Sequence, residues 1–95
     1  MGLFDDIAGF EWDDGNRDKN LIRHGVTSSE CEEAFDDGKK VVRVDTRHSQ
    51  TEARQYLIGE TKGGRVLFVT FTIRAHLIRV ISARDINKKE RYYYE

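Results

Sequence analysis

The run Arg65-Val66-Leu67-Phe68-Val69-Thr70-Phe71-Thr72-Ile73 constrains the fold more than any other stretch of the chain. It is rich in β-branched and aromatic residues and apolar at odd and even positions alike, as expected of a strand covered on both faces. Such a strand is central and needs a neighbour on each side. Gly63-Gly64 just before it is a hairpin turn signal, and Arg54-Gln55-Tyr56-Leu57-Ile58 supplies the strand ahead of that turn. Arg74-Ala75 turns the chain into His76-Leu77-Ile78-Arg79-Val80-Ile81-Ser82-Ala83, and Val41-Val42-Arg43-Val44 is a shorter fourth strand. Sequential strands joined by short turns predict a four-stranded antiparallel sheet, to which Phe10-Glu11-Trp12 could add an N-terminal edge strand.

The rest reads as helix. Asp13 is a good N-cap for a helix over 14–24, and His24-Gly25 stops it, with Gly in the left-handed position and Val26 placed to touch Leu21. Thr27-Ser28-Ser29-Glu30 is a capping box for a second helix over 28–37, with Cys31, Ala34 and Phe35 as its apolar face. The tight turn makes a corner, with His24 at it. Asp85 to Glu95 reads as a charged third helix capped by Asp85. Two helices, then strands, then a helix predict an α+β domain with the helices on one face of the sheet.

Composition narrows the function. Ninety-five residues without a repeat, a linker or any Pro predict one domain over 1–95 and exclude a multidomain enzyme. One Cys excludes a disulfide framework, and His24, His48 and His76 stand at no metal-ligand spacing, so neither metal nor cofactor is expected. No phosphate loop, dinucleotide fingerprint or serine elbow is present. No apolar run approaches a membrane span and no signal peptide is visible, which predicts a cytoplasmic protein. The net charge of −1 conceals a split: residues 1–37 carry 11 acids against three bases, and residues 38–95 carry 13 bases against six acids. Such asymmetry suggests two layers of one domain, with the basic one facing a nucleic-acid partner.

Within the basic half, Arg79 alternates with Leu77 and Ile81, opposite Ile78 and Val80. Arg84, Lys88 and Arg91 are spaced i, i+4, i+7, lining one side of the predicted last helix, and Arg54 lies on another strand. Guanidiniums grip phosphate with a bidentate fork, and Arg clusters near Tyr92, Tyr93 and Tyr94 suit single-stranded RNA. The alternative is a solvated face paired with Asp85 and Glu90. His24 is the best candidate for proton transfer, since histidine titrates near neutral pH; the alternative is a C-capping residue that only satisfies helix carbonyls. Trp12 is expected to tuck under the sheet or first helix, and Cys31 to be a buried small hydrophobe.

Phe10-Glu11-Trp12-Asp13, Asn20 and Arg23-His24-Gly25-Val26 resemble the opening signature of the BrnT-type toxins, ribonucleases of type II toxin–antitoxin systems with a RelE-like fold. Glu30 with Phe35-Asp36-Asp37, Arg54 with Gly59, Gly64-Arg65-Val66-Leu67, Arg79 to Arg84, and Glu90-Arg91 with Tyr94 follow in order. Coverage is residues 10–95, and residues 1–9 are an unmatched lead. The chain departs from the pattern at Arg23, commonly Lys; at Asn16, commonly basic; and at Asp14, often Pro. The resemblance implies an mRNA-cleaving, metal-independent RelE-like domain neutralised by a ribbon-helix-helix antitoxin of the BrnA type, the complex then binding operator DNA. It implies His24, Arg79, Arg84 and Arg23 as catalytic residues, Arg54, Arg91 and Tyr94 as RNA-binding, with Lys88 added by its spacing, and Glu90, Trp12 and Asn20 as supporting. The second function to weigh is a catalytically weak antitoxin-binding module acting in operator autoregulation.

Overall fold

Five strands form one sheet in the order β1-β5-β4-β3-β2, where β1 is Gly9–Phe10, β2 Val41–Asp45, β3 Arg54–Glu60, β4 Val66–Arg74 and β5 Leu77–Asp85. The helices are α1 (Asp14–His24), α2 (Ser28–Phe35) and α3 (Lys88–Tyr94). This computed structural model describes residues 4–45 and 53–94, with backbone only at 18–21 and 45. His48, the side chain of Asn20 and the expected Leu21–Val26 contact lie outside the described residues.

β4 is central, as its two-sided apolar pattern requires, and pairs antiparallel with β3 and β5. The added N-terminal strand is present but runs parallel to β5, so the sheet is mixed rather than antiparallel. It is also shorter than Phe10-Glu11-Trp12 suggests. Glu11 N–H still bonds the Ile78 carbonyl, but Asp13 already caps α1 and the chain must leave the sheet. The β4–β5 turn holds Ala75 and His76 at positive φ, the pair of left-handed residues a two-residue hairpin needs, and Ala8 N–H bonds the His76 carbonyl.

Both predicted helix starts are seen. Asp13 Oδ1 accepts the Asn16 N–H at 3.0 Å while Asn16 Oδ1 accepts the Asp13 N–H at 2.7 Å. Thr27 and Glu30 form the reciprocal box at α2. Gly25, at φ +66°, turns the chain between them. The third helix differs from expectation, and it lies on the outer face with Arg84 rather than sharing one face with α2. Its cap is Asn87, which exchanges bonds with Glu90, and Asp85 stays in β5 as the partner of Arg65. Arg84 is therefore a strand residue and does not share a helix side with Lys88 and Arg91.

One face of the sheet is the core. Leu57, Leu67, Val69, Phe71, Ile78, Val80 and Ala83 point into it, and Val26, Cys31, Ala34 and Phe35 close it from the helices. Phe35 contacts Phe71 and Phe10 edge-on at 5.0 and 5.2 Å between centroids. The unmatched lead contributes as well, with Phe4 against Phe35 and Phe71 and Ile7 packed on the same cluster. Gly59 sets the approach of α2: a Cβ there would stand 2.3 Å from the Ala34 carbonyl oxygen. Cys31 is buried as expected, and burial, aided by Glu30 and Glu32, pushes its thiol up to about 12, leaving it inert at neutral pH.

Candidate active site

β5 carries both arginines of the hallmark ending, five residues apart. In a regular strand an odd separation puts two side chains on opposite faces. Here a bulge between Thr70 and Phe71 of β4 and their partners leaves Ile81 unpaired, since Phe71 pairs Val80 and Thr70 pairs Ser82. Arg79 then lies opposite Thr72 and Arg84 opposite Phe68, both even-numbered positions of β4 that face away from the core. The bulge thus brings Arg79 and Arg84 to one outer face.

They are held differently. Arg79 Nη1 lies 2.9 Å from Asp13 Oδ2 and 3.2 Å from Glu11 Oε1. The Asp13 carboxyl is held below its ordinary range, first by the hydrogen bond from Arg79 and then by the Asn16 N–H. Arg84 makes a two-pronged contact with Glu90, at 2.8 and 2.6 Å, and its guanidinium lies over the Phe68 ring at 4.5 Å. Burial works to raise the Glu90 pKa, but Arg84 and the Asn87 N–H carry it below the ordinary value. Phe68 in turn stacks on Tyr56 of β3, at 4.9 Å and 19°. Arg54 is half-buried at the start of β3.

α1 runs alongside β5, starting near Arg79 and ending near Asp85. Its exposed last turn carries Arg23 and His24. The bond that fixes this end comes from Arg65, whose Nη2 donates to the His24 carbonyl and Nη1 to the Gly25 carbonyl, both at 2.8 Å. The same guanidinium bonds Asp85 at 2.6 and 3.0 Å and reaches Glu30 at 3.4 Å. Asp85 is accordingly held low, chiefly by the Arg65 hydrogen bond against burial, with the charges of Arg65 and His24 adding. His24 therefore lies at the Asp85 end of β5, but Asp85 stands opposite Leu67 on the core face, so the Arg65 bonds hold this corner on the side of the sheet away from Arg84. Arg79 sits roughly 15 Å up the strand at ~3.3 Å per residue.

Other expected site residues play structural parts. Trp12 Nε1 donates to Glu32 at 2.8 Å and its ring stacks on Phe10, tying the start of α1 to α2. Tyr94 donates to Asp37, which also receives the Lys39 and Glu60 amides, so its hydroxyl anchors α3. Lys88 and Arg91 are exposed on α3. Residues to which the sequence assigned no site role are Arg65, Asn16, and the Tyr56–Phe68 pair. Asn16 is 4% exposed and donates to the Glu11 and Val80 carbonyls, so the position where a basic residue is common serves here as a staple. Period-two alternation with Arg54 is the signal that could have found Tyr56.

The acidic half is not a layer apart. Glu11 and Asp13 on Arg79, and Glu30 on Arg65, join the two halves by charge. Among the described residues no group of three His, Cys, Asp or Glu could hold a metal ion, and no helix is long and apolar enough to cross a membrane.

The family model described as the ribonuclease toxin BrnT of type II toxin–antitoxin systems matches residues 12–90. The chain belongs to the BrnT family. It is thus a ribonuclease toxin of a type II toxin–antitoxin system, a class defined by an antitoxin partner. The fold is similar to that of the Brucella abortus ribonuclease toxin BrnT, solved by crystallography, with a TM-score of 0.58 and 23% identity over 84% of this chain and 97% of that one. No curated protein gives a significant match. The match of this BrnT-family chain begins after Phe4 and Ile7 and stops before Arg91 and Tyr94, so the lead that packs on the core lies outside it.

Proposed function

We propose that this chain is a metal-independent, RelE-like endoribonuclease that cuts mRNA by attack of the RNA's own 2′-hydroxyl. The observation that carries the reading is the bulge that sets Arg79 and Arg84 on one outer face. The 2′-oxygen attacks the adjacent phosphorus, the bond to the 5′-oxygen breaks, and the products are a 2′,3′-cyclic phosphate and a 5′-hydroxyl. Arg84 steadies the non-bridging oxygens as charge builds. His24 is assigned the transfer of the proton from the 2′-oxygen to the 5′-oxygen by the family resemblance, reaching Arg84 around the β5 edge from the other face, with Arg23 beside it as charge alone, since a guanidinium does not give up its proton. Because Arg79 is some 15 Å along the strand by strand rise, it is assigned to a neighbouring phosphate of the same RNA, together with Arg54, Lys88 and Arg91. Glu90 orients Arg84. Trp12 and Asn20 remain supporting residues, and Tyr94 acts through the anchoring of α3.

The partner is proposed to be a BrnA-type ribbon-helix-helix protein whose acidic or apolar segment covers Arg79 and Arg84, the complex binding operator DNA in the cytoplasm. A second reading has its own observation: both arginines are already paired with carboxylates of the chain, as suits a catalytically weak module that chiefly docks the antitoxin. Incubating the purified chain with mRNA, alongside growth on expression, tests the choice. Cleavage that His24→Ala with Arg79→Ala leaves at the wild-type rate sinks the site assignment. A folded, antitoxin-binding chain that neither cuts RNA nor arrests growth favours the second reading.

A further inference from the structure

The outer face bears an aromatic column that the cleavage scheme does not use. Strand alternation makes an outward position polar unless something covers it. At the Glu60 end of β3 something does: α3 packs against β3, and Ile58, on that face, is fully buried. Tyr56 and Phe68 are only half-buried. Their rings stack at 4.9 Å and 19°. Arg84 lies over Phe68 from β5 while Tyr56 approaches from β3, so strand order puts them on opposite faces of the phenyl ring.

Tyr56 thus ends a stack of three planar groups running across β5, β4 and β3. Its second face looks toward β2, where exposed Arg43 stands directly opposite in register. Across the sheet the same row continues through Thr70 and Ser82, short hydroxyl side chains that leave the surface low beside the rings. A flat aromatic face bounded on one side by the exposed Arg43 guanidinium, whose Nη1 donates to the Val42 carbonyl at 3.0 Å, and by the Glu90-bound Arg84 beyond the rings on the other, has the chemistry that takes an unpaired nucleobase and its phosphate.

We propose that Tyr56 and Phe68 form a nucleobase-stacking platform. An unpaired base of single-stranded RNA stacks on the Tyr56 face turned away from Phe68, Arg43 closes over it, and the neighbouring phosphate meets Arg84. The proposal rests on the ribonuclease reading and adds to it where a base is held.

The test uses the full chain and fully 2′-O-methylated RNA oligonucleotides, which bind without being cut, each with 2-aminopurine at one position. Stacking quenches that fluorophore. The wild type quenches it at one position, Tyr56→Phe does the same, and Tyr56→Leu, which keeps an apolar side chain, abolishes quenching and weakens binding roughly 10-fold. In cleavage assays Tyr56→Leu raises KM by a similar factor with kcat within about two-fold. Arg43→Ala, at an exposed position, weakens binding about three-fold and serves if Tyr56→Leu unfolds by circular dichroism. A wild type that cuts RNA but quenches at no position, or a folded Tyr56→Leu that quenches and binds as the wild type does, overturns the platform and leaves the nuclease standing. A wild type that neither binds nor cuts RNA overturns both.

Discussion

The two arginines of β5 share a face and differ in how they are held. Arg79 is shared between Glu11 and Asp13, whose side chains are 42% and 51% exposed. Arg84 is forked onto one carboxylate, Glu90, only 15% exposed, and lies flat on Phe68. Exposed pairs are weak and exchange readily, so a phosphate can take the place of Glu11 at modest cost. A bidentate pair with a stacked plane is preorganised. One end of the strand is built to let go and the other to stay put, which is why the proposed mechanism gives the transition-state role to the second.

The largest effect is expected at the fixed end. Arg84→Ala lowers kcat for RNA cleavage by about 10²–10³-fold, the loss typical of removing a donor aimed at developing charge. Arg84→Lys recovers little, because a lysine has neither the fork nor the flat face. Single-turnover rates with saturating enzyme measure both, and an Arg84→Lys chain at full rate breaks the distinction between the two ends.

Next in size is the support of the exchanging end. Asn16→Ala removes the cap partner of Asp13 and leaves the buried Val80 carbonyl without its amide donor. The expected cost is about 2 kcal/mol, some thirty-fold in the folding equilibrium. Urea unfolding reads this directly. A loss below a few tenths shows that the staple matters little and that the Arg79 end floats free of α1.

Arg79 itself comes third. Arg79→Ala raises KM about 10-fold with a smaller change in kcat, as expected of a residue that holds a phosphate away from the reacting bond. Glu11→Gln moves the other way: it removes one competitor and tightens RNA binding several-fold at fixed ionic strength. If Glu11→Gln instead weakens binding, Glu11 is an orienting partner like Glu90 and the contrast collapses.

How much of this could be read beforehand follows from the range of each force. The caps at Asp13 and Thr27, the Gly25 stop, the central place of β4 and the buried Cys31 are local or set by pattern, and they were legible. The bulge was not, because alternation along β5 looks regular until pairing with β4 is known, and it decides whether Arg79 and Arg84 share a face. The parallel sense of β1 and the ion pairs that join the acidic and basic halves depend on contacts far apart in the chain. Asn87 displaced Asp85 as a cap because Arg65 had already claimed the Asp85 carboxylate. His24 is on the corner where its sequence put it, but Arg65, which fixes that corner, carried no signal of its own.

Acid tests both ends at once. Asp13, Asp37, Asp85 and Glu90 are each held below their ordinary values in the folded chain. A carboxyl depressed by folding stabilises the fold above its unfolded pKa and loses that contribution as pH falls through the folded value. Thermal stability is therefore expected to change little from neutral pH down to about 5, then to fall below the ordinary carboxylate range near 4. Glu90→Gln takes its share of that slope away. A melting temperature that rises on acidification contradicts the carboxylate assignments.

The smallest expected effect lies on α3. Lys88 and Arg91 are exposed and join the Arg84 end only through the helix that Glu90 tethers. Under the proposed function each would meet RNA from a solvated position, so Lys88→Ala or Arg91→Ala is expected to weaken binding only about two- to three-fold. The sharper readout is salt: each lost phosphate contact on a single strand lowers the slope of log K against log salt by about 0.7. Arg84→Ala lowers the same slope by a like amount and costs catalysis besides, while the α3 variants leave kcat alone. If Lys88→Ala lowers kcat as Arg84→Ala does, then α3 is part of the fixed end, and the preorganised site extends from β5 onto the helix.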